Sequence, residues 1–208
     1  MREGQTDARV SMSQVLAKPH AFGVGAVEGL RGEIIIDDGR CWTAEVVAGA
    51  GQPVAKVREG VQSGGATLMV VAYVPKWSEF IIERGLASDE LEAYIRDAAQ
   101  HHGIDTTKPF PFVLEGEFRN LSAHVINGFC PMNPNADPGS AENQPVRLDG
   151  VLGRGKLIGI YAENSAGELT HHGSSMHAHV LMESSPTTVA HVEAVAVAPT
   201  ARLRLPAR

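Results

Sequence analysis

Three histidines near the carboxyl end of the chain have a spacing that suits a metal site. His177 and His179 are two residues apart, so in a β-strand their side chains point to the same face. The segment 183–187 is polar and contains a proline, which is typical of a turn. A hairpin centred on Ser185 would place His191 directly opposite His179. Three imidazoles on one face are a common way to hold a metal with one coordination position left open.

The residues that alternate with these histidines favour the same interpretation. Met176, Ala178, Val180 and Met182 are apolar and would form the buried face of the strand. Unrelated histidines in a strand-rich region are the alternative. Because three histidines fall on one inferred face that is backed by an apolar one, we expect them to bind a metal together.

Composition limits the classes of protein to which the chain can belong. Of its 208 residues, 43% are hydrophobic and 20% are charged, with a net charge of −6, which predicts a soluble globular protein. No block of Lys or Arg suggests a nucleic-acid surface, and no apolar run of about 18 residues suggests a membrane span. The polar segment 1–13 does not have a signal-peptide pattern, so we expect a cytoplasmic protein. Cys41 and Cys130 are not spaced as a thiolate metal site.

Hydrophobic patterning predicts strands, then a helix, then more strands. Segments 22–27, 32–37, 40–47 and 66–74 are predicted strands, and residues 88–102 form the clearest predicted helix, with Ser88 as its N-cap. Six further strands are predicted over 112–118, 122–126, 146–152, 156–162, 177–182 and 189–197. We therefore predict an α+β fold that is mainly antiparallel β, with two packed sheet subdomains. They span residues 1–108, with the helix, and residues 109–208, with the metal site.

Several segments, in order along the chain, resemble motifs of the acetolactate decarboxylase family. They are the opening Ser13–Gly39, the strand Leu114–Phe118, the strand Gly155–Tyr161 and the histidine segments Met176–His179 and Ala190–Val192. The similarity extends from about residue 11 to residue 195. The C-terminal part is also similar to the plants-and-prokaryotes conserved domain, which shares the arrangement of histidines.

This resemblance implies a mostly antiparallel β protein that binds one Zn²⁺ through His177, His179 and His191, although another divalent transition metal is compatible. In the family, zinc chelates the hydroxyl and keto oxygens of a 2-hydroxy-3-oxo acid. Loss of CO₂ leaves an enediolate, whose charge a Lewis acid stabilises. A positioned acid must then deliver a proton. Glu33 matches a glutamate of the family's opening motif and is the candidate for this role; a solvated carboxylate at a strand end is the alternative.

The sequence also departs from the family pattern. The family has an arginine that can meet the substrate carboxylate, and this chain has His124 at that position. A histidine can act as an acid or a base, but it is not a bidentate carboxylate clamp. The family's C-terminal glutamate has no counterpart, because Glu193 follows His191 too closely to serve. The metal site is retained while part of the substrate-binding shell differs.

We therefore predict a zinc-dependent carboxy-lyase that decarboxylates a small 2-hydroxy-3-oxo acid or a related β-keto acid through a metal-stabilised enediolate, with Glu33 and His124 as candidate catalytic residues. Two alternatives stay open. One is a biosynthetic enzyme on the same scaffold that uses the enediolate for isomerisation, cyclisation or aldol chemistry. The other is a non-catalytic ligand-binding module. The expected partner is a small keto acid, with no nucleic acid and no membrane, and a homodimer is compatible with the sequence.

Overall fold

The structure is a computed structural model. It describes residues 6–49, 53–60, 64–128, 143–165, 168–170 and 173–208. These residues form two six-stranded sheets, and every strand pairing in them is antiparallel. The mainly antiparallel fold with two packed sheets and one main helix, which the sequence predicted, is therefore confirmed. None of the helices in the described part of the chain is long and apolar enough to cross a membrane.

The first sheet is built from the N-terminal part of the chain. Its elements are β1 (Val10–Ser11), the short helix α1 (Met12–Leu16), β2 (Ala21–Val27), β3 (Gly32–Asp37), β4 (Arg40–Val47), β5 (Val54–Glu59) and β6 (Gly65–Tyr73). The strand order is β1-β6-β2-β3-β4-β5. Strand β3 is central and buried along its whole length. Any polar side chain on it therefore lies inside the protein.

The second sheet contains the histidines. Its elements are β7 (Trp77–Ile81), the helix α2 (Ser88–His101), β8 (Phe110–Val125), β9 (Val146–Tyr161), β10 (Met176–Met182), β11 (Thr188–Val197) and β12 (Arg202–Pro206). The strand order is β11-β10-β9-β8-β12-β7, and β11 also pairs with β8. This additional pairing closes β8, β9, β10 and β11 into a small barrel, so that side chains from all four strands can share one end of it.

One continuous hydrophobic core joins the two sheets. It includes Phe22 and Ile35 of the first sheet and Phe112 and Leu157 of the second. Helix α2 adds its buried stripe of Leu91, Ile95 and Ala99 to the same core. An ion pair also crosses between the sheets, with Lys156 Nζ 2.6 Å from Asp37 Oδ2. The relative position of the sheets is thus fixed by both packing and charge.

The predicted helix is present, but its cap differs from the prediction. Helix α2 begins at Ser88, and Ala87, not Ser88, is the N-cap residue. The Ala87 N–H donates to Glu90 Oε2 at 2.9 Å, while Ser88 Oγ accepts a hydrogen bond from the Val195 N–H at 3.1 Å. The serine hydroxyl is therefore used to attach the helix to β11. The prediction that Ser88 caps the helix was wrong because this tertiary contact takes its side chain.

The strands also differ from the predicted ones in length and number. The two pairs of short strands predicted over 112–126 and 146–162 are two long strands with irregular register, β8 and β9. Strands β1, β5, β7 and β12 were not predicted. Strand β7 precedes the predicted domain boundary at residue 108 but pairs within the second sheet; that boundary stays a prediction. Cys130 lies outside the described residues.

Candidate metal centre

The β10–β11 hairpin brings the three histidines together. His179 pairs directly with His191 across the two strands, as the sequence predicted from a turn centred near Ser185. His177 lies two residues before His179 on β10, where it pairs with Ile160 of β9. Strand alternation puts His177 and His179 on one face and buries Ala178 and Val180 on the other. The local pattern of the sequence is thus sufficient to place all three imidazoles.

The three imidazoles form a compact cluster. One nitrogen from each of His177, His179 and His191 lies within 4.8 Å of the other two. The Nε2 atoms of His177 and His179 are 3.3 Å apart. His179 and His191 are buried, and His177 is half-buried. The cluster therefore has one more accessible side, at His177.

Backbone carbonyls fix the orientation of two of these rings. Nδ1 of His179 is 2.9 Å from the carbonyl oxygen of Ile34, which belongs to the first sheet. Nδ1 of His177 is 3.0 Å from the carbonyl oxygen of Leu169. A carbonyl only accepts, so each Nδ1 carries the hydrogen and each neutral ring has its lone pair on Nε2. Metal-binding histidines are commonly oriented in this way.

The geometry of the two Nε2 atoms fits a shared metal ion. In neutral rings, two lone pairs that face each other at 3.3 Å repel unless a cation lies between them. Zinc–nitrogen bonds of about 2.0–2.1 Å in a tetrahedral arrangement separate two nitrogens by about 3.3 Å. The observed spacing of the Nε2 atoms is the same. The donor set of three imidazoles also suits zinc and related divalent transition metals.

Glu33 projects from the first sheet to the histidine cluster. It lies on β3 and is only 4% exposed. One carboxyl oxygen, Oε2, is 3.5 Å from Nε2 of His179, and the other accepts a hydrogen bond from the Ile126 N–H at 3.0 Å. Burial raises the pKa of Glu33 to about 8, although the hydrogen bond from Ile126 acts in the opposite direction. In the metal-free protein the side chain is therefore mostly protonated at neutral pH. The solvated strand-end alternative for Glu33 does not apply.

His124 lies beside the same cluster, on β8. It pairs with His191 of β11, and the centroids of the two rings are 5.0 Å apart. Its Nδ1 is 2.9 Å from Oε1 of Glu193, and its side chain is 20% exposed. The structure therefore brings all five sequence-predicted site residues to one end of the barrel. Their roles as metal ligands and catalytic groups stay predictions.

Arg147 and Glu193 are two charged residues next to His124 that were not among the predicted site residues. Arg147 of β9 pairs with His124 across the strands, and its Nη1 is 3.1 Å from Glu193 Oε2. Glu193 also accepts from Ser122 Oγ at 3.2 Å. Burial raises the pKa of Glu193, but the positive charges of His124 and Arg147, with hydrogen bonds from His124 and Ser122, leave it below its ordinary value.

The position of Glu193 follows from a register irregularity. The pairing of β11 with β8 shifts between Val192 and Ala194, so Glu193 is an extra residue in its strand. That Glu193 cannot serve as the family's C-terminal glutamate stays a prediction. Its oxygens contact His124 and Arg147. Neither the irregularity nor the β8–β9 pairing has a signature in the sequence, so the contacts could be found only in three dimensions.

The protein is thus built from two antiparallel sheets, and a three-histidine cluster able to hold a metal lies where these sheets meet. The alpha-acetolactate decarboxylase family matches residues 1–205. The chain therefore belongs to the alpha-acetolactate decarboxylase family, and the resemblance seen in the sequence is confirmed. Among curated proteins, none matches the chain.

Solved structures with the same fold include members of that family. Alpha-acetolactate decarboxylase from Bacillus subtilis strain 168 is 16% identical, with a TM-score of 0.68 over 99% of this chain and 80% of that chain. A Staphylococcus aureus protein of unknown function, similar to alpha-acetolactate decarboxylase, is 13% identical, with a TM-score of 0.66 over 97% and 78%. A plant- and prokaryote-conserved protein from Pyrococcus horikoshii, 16% identical, aligns over 64% of this chain and 78% of that chain with a TM-score of 0.38, which is too low to support an argument.

Proposed function

We propose that this protein is a zinc-dependent lyase that decarboxylates a small 2-hydroxy-3-oxo acid or a related β-keto acid. The observation that carries the proposal is the juxtaposition of two groups. Three histidines fit a metal ion, and the carboxyl group of Glu33 lies 3.5 Å from Nε2 of His179, the nitrogen that we propose as a ligand. Decarboxylation of such an acid needs both an electrophile for the oxygens and an acid for the carbon.

His177, His179 and His191 would hold the zinc ion. When bound, zinc supplies Lewis acidity, which stabilises negative charge on the hydroxyl and keto oxygens of the substrate. The remaining chemistry belongs to the chain. The C–C bond to the carboxylate breaks, CO₂ leaves, and the electron pair stays on the substrate carbon next to the carbonyl, which gives the predicted enediolate. That carbon must then receive a proton.

Glu33 is the proposed donor of this proton. Its burial favours the neutral carboxylic acid, and its contact with His179 places it beside the proposed ligands. Protonation of the carbon would leave a Glu33 carboxylate, which takes a proton from water before the next cycle. The Ile126 N–H stabilises that charged form. Burial favours the neutral acid and the Ile126 N–H stabilises the carboxylate, so this group suits a reaction in which it first loses and then regains a proton.

The charged residues beside His124 are proposed to bind the substrate carboxylate and to assist proton transfer. Arg147 provides a guanidinium next to the position where the family pattern has an arginine, but from β9 instead of β8. Glu193 contacts both Arg147 and His124 and so holds them side by side. A carboxylate bound to one ring nitrogen orients an imidazole for acid–base work. His124 is therefore the second proposed proton-handling group.

The same arrangement supports a second candidate function. Replacement of the family's arginine by His124, with the guanidinium moved to another strand, changes how a carboxylate would lie over the metal. An enzyme that uses the same enediolate for isomerisation, cyclisation or aldol chemistry in a biosynthetic pathway is consistent with this change. The ligand-binding module is less well supported, because Glu33 is a buried acid directed at the histidines.

A direct assay separates these functions. Purified protein with one equivalent of zinc is given racemic acetolactate, and CO₂ release and products are measured for the wild type and for His191→Ala. Metal-dependent CO₂ release supports the lyase. Consumption of the acid to an isomer or a condensed product without CO₂ would support the second function. No turnover of acetolactate or of other 2-hydroxy-3-oxo and β-keto acids, with ligand binding alone, would support the binding module.

A further inference from the structure

His177 differs from the other two histidines in how it is held. His179 is buried, and its Nδ1 donates to the carbonyl of Ile34 on a central strand. His177 is half-buried, and its Nδ1 donates to the carbonyl of Leu169. Leu169 lies in the segment that connects β9 to β10, outside both sheets. The ring orientation of His177 therefore depends on how firmly this connection is held.

Helix α2 binds the same connection through one carboxylate. Glu92 Oε2 accepts a hydrogen bond from Ser174 Oγ at 2.8 Å, and Glu92 Oε1 accepts one from the Ser175 N–H at 3.1 Å. Both oxygens of the side chain are therefore used on adjacent residues. Hydrogen bonds to a charged acceptor are stronger than those between neutral groups. Ser174 and Ser175 directly precede β10, on which His177 is the second residue.

Ser174 is also hydrogen-bonded to Met176, at the start of β10, and to Thr170, within the connection. Its Oγ accepts from the Met176 N–H at 3.0 Å, one residue before His177. Its carbonyl accepts from Thr170 Oγ1 at 2.7 Å, one residue after Leu169. Ser174 is therefore hydrogen-bonded to the chain neighbour of His177 and to the chain neighbour of Leu169, the residue that carries the acceptor. Glu92 in turn ties Ser174 to the helix.

We infer that Glu92 is a positioning residue for the metal centre, which holds His177 in the orientation that binds the ion. This inference rests on the proposed function only in that the three histidines are taken to bind zinc. Outer hydrogen-bond partners of a metal ligand reduce the loss of freedom on binding, and their removal typically weakens metal affinity about 10–100-fold. Because Glu92 acts through Ser174 and not on the ring itself, the lower end of this range is expected.

The test compares Glu92→Ala with Asp97→Asn in the full-length protein. Asp97 is an exposed acidic residue of the same helix, paired with its neighbour Arg96, so it controls for loss of a helix carboxylate. Zinc affinity is measured by competition with a chelator, and cobalt(II)-loaded protein is examined by absorption spectroscopy. We expect Glu92→Ala to weaken zinc binding about tenfold. We also expect weaker cobalt bands, because a loosely held His177 is replaced by water. Glu92→Gln, which keeps one acceptor, should lie in between.

Ser174→Ala and His177→Ala complete the test. If Glu92→Ala does not fold, Ser174→Ala removes the central hydroxyl without changing the helix and should give the same loss of affinity and the same spectral change. Wild-type affinity and an unchanged cobalt spectrum in Glu92→Ala, or in Ser174→Ala where that variant replaces it, would overturn the inference. His177→Ala separates this result from failure of the proposed metal centre, because wild-type zinc affinity in that variant would show that the histidines are not the site.

Discussion

At the scale of single residues, Glu33 is the most unusual feature of the protein. A carboxylic acid that is 4% exposed and bound by one backbone N–H is costly in the charged form, which is why its pKa is raised to about 8. Such a side chain is rarely retained for stability alone. Its position next to His179 gives the reason that we propose, which is proton transfer to a substrate held by the metal.

Glu33→Gln tests this role. The amide keeps the size of the side chain and can still accept the hydrogen bond from Ile126, but it cannot deliver the proton. We expect zinc content to be unchanged, while turnover of the substrate falls by about 10²-fold or more. Zinc content and CO₂ release are measured on the same preparation. Full activity in the variant would remove Glu33 from the mechanism and leave water as the proton source.

Arg147→Gln tests the proposed carboxylate contact. Loss of a guanidinium that binds the substrate equally in ground and transition states raises KM and leaves kcat nearly unchanged. We expect KM for the keto acid to rise about tenfold. This is the lower end of the about 1.5–3 kcal/mol that a hydrogen bond to a charged group contributes, because the Arg147 side chain is 56% exposed. Arg119→Gln is the matched control, because Arg119 lies on the adjacent strand β8 and pairs only with the exposed Glu117 among the described residues. Equal KM values in the two variants would exclude Arg147 from substrate binding.

At the scale of elements, the sequence could predict those features of the site that depend on local residue patterns. The β10–β11 hairpin follows from alternation and a polar turn, so the histidine triad and its register could be predicted. Glu33 could be predicted only through the family resemblance, because nothing local shows that its strand faces the hairpin. Arg147 and Glu193 could not be predicted. Their contacts depend on the register of β9 and β11 against β8, which is set by long-range pairing and by irregularities without a sequence signature.

The ion pair between Lys156 of β9 and Asp37 of β3 joins the two sheets. Lys156→Met leaves Asp37 buried without its partner, and we expect the free energy of unfolding to fall by about 1.5–3 kcal/mol. Lys108→Met is the control, since its pair with Asp105 is exposed and should contribute about 1 kcal/mol or less. Urea denaturation of the metal-free proteins measures both. A double variant that also replaces Asp37 with Asn should recover part of the loss; equal losses in the two single variants would contradict an inter-sheet role for the pair.

At the scale of the whole molecule, burial of Glu33 between the sheets links stability to pH. In the unfolded chain its pKa is near the ordinary value of 4.5, whereas in the folded metal-free protein it is about 8. Between these values the folded state binds more protons than the unfolded state. The contribution of Glu33 to stability is therefore fully present below about pH 4.5 and is lost as pH rises toward 8.

Denaturation of the metal-free protein across this range should show the effect. We expect the stability of the wild type to fall relative to that of Glu33→Gln as the pH rises from 5 to 8, because glutamine does not titrate. The difference between the two proteins is the relevant quantity, since effects of pH that do not involve Glu33 are common to both. A difference that does not vary with pH would mean that Glu33 is not buried as an acid in the folded protein.

We propose that catalysis depends on a zinc ion held by three histidines of one hairpin. The most direct test is a titration of zinc into metal-free protein while CO₂ release from a 2-hydroxy-3-oxo acid is followed. We predict that the rate rises with added zinc and reaches its limit at one equivalent per chain, and that His179→Ala shows no rise. A full rate without metal, or the same titration curve in His179→Ala, would show that these histidines do not hold a catalytic metal ion.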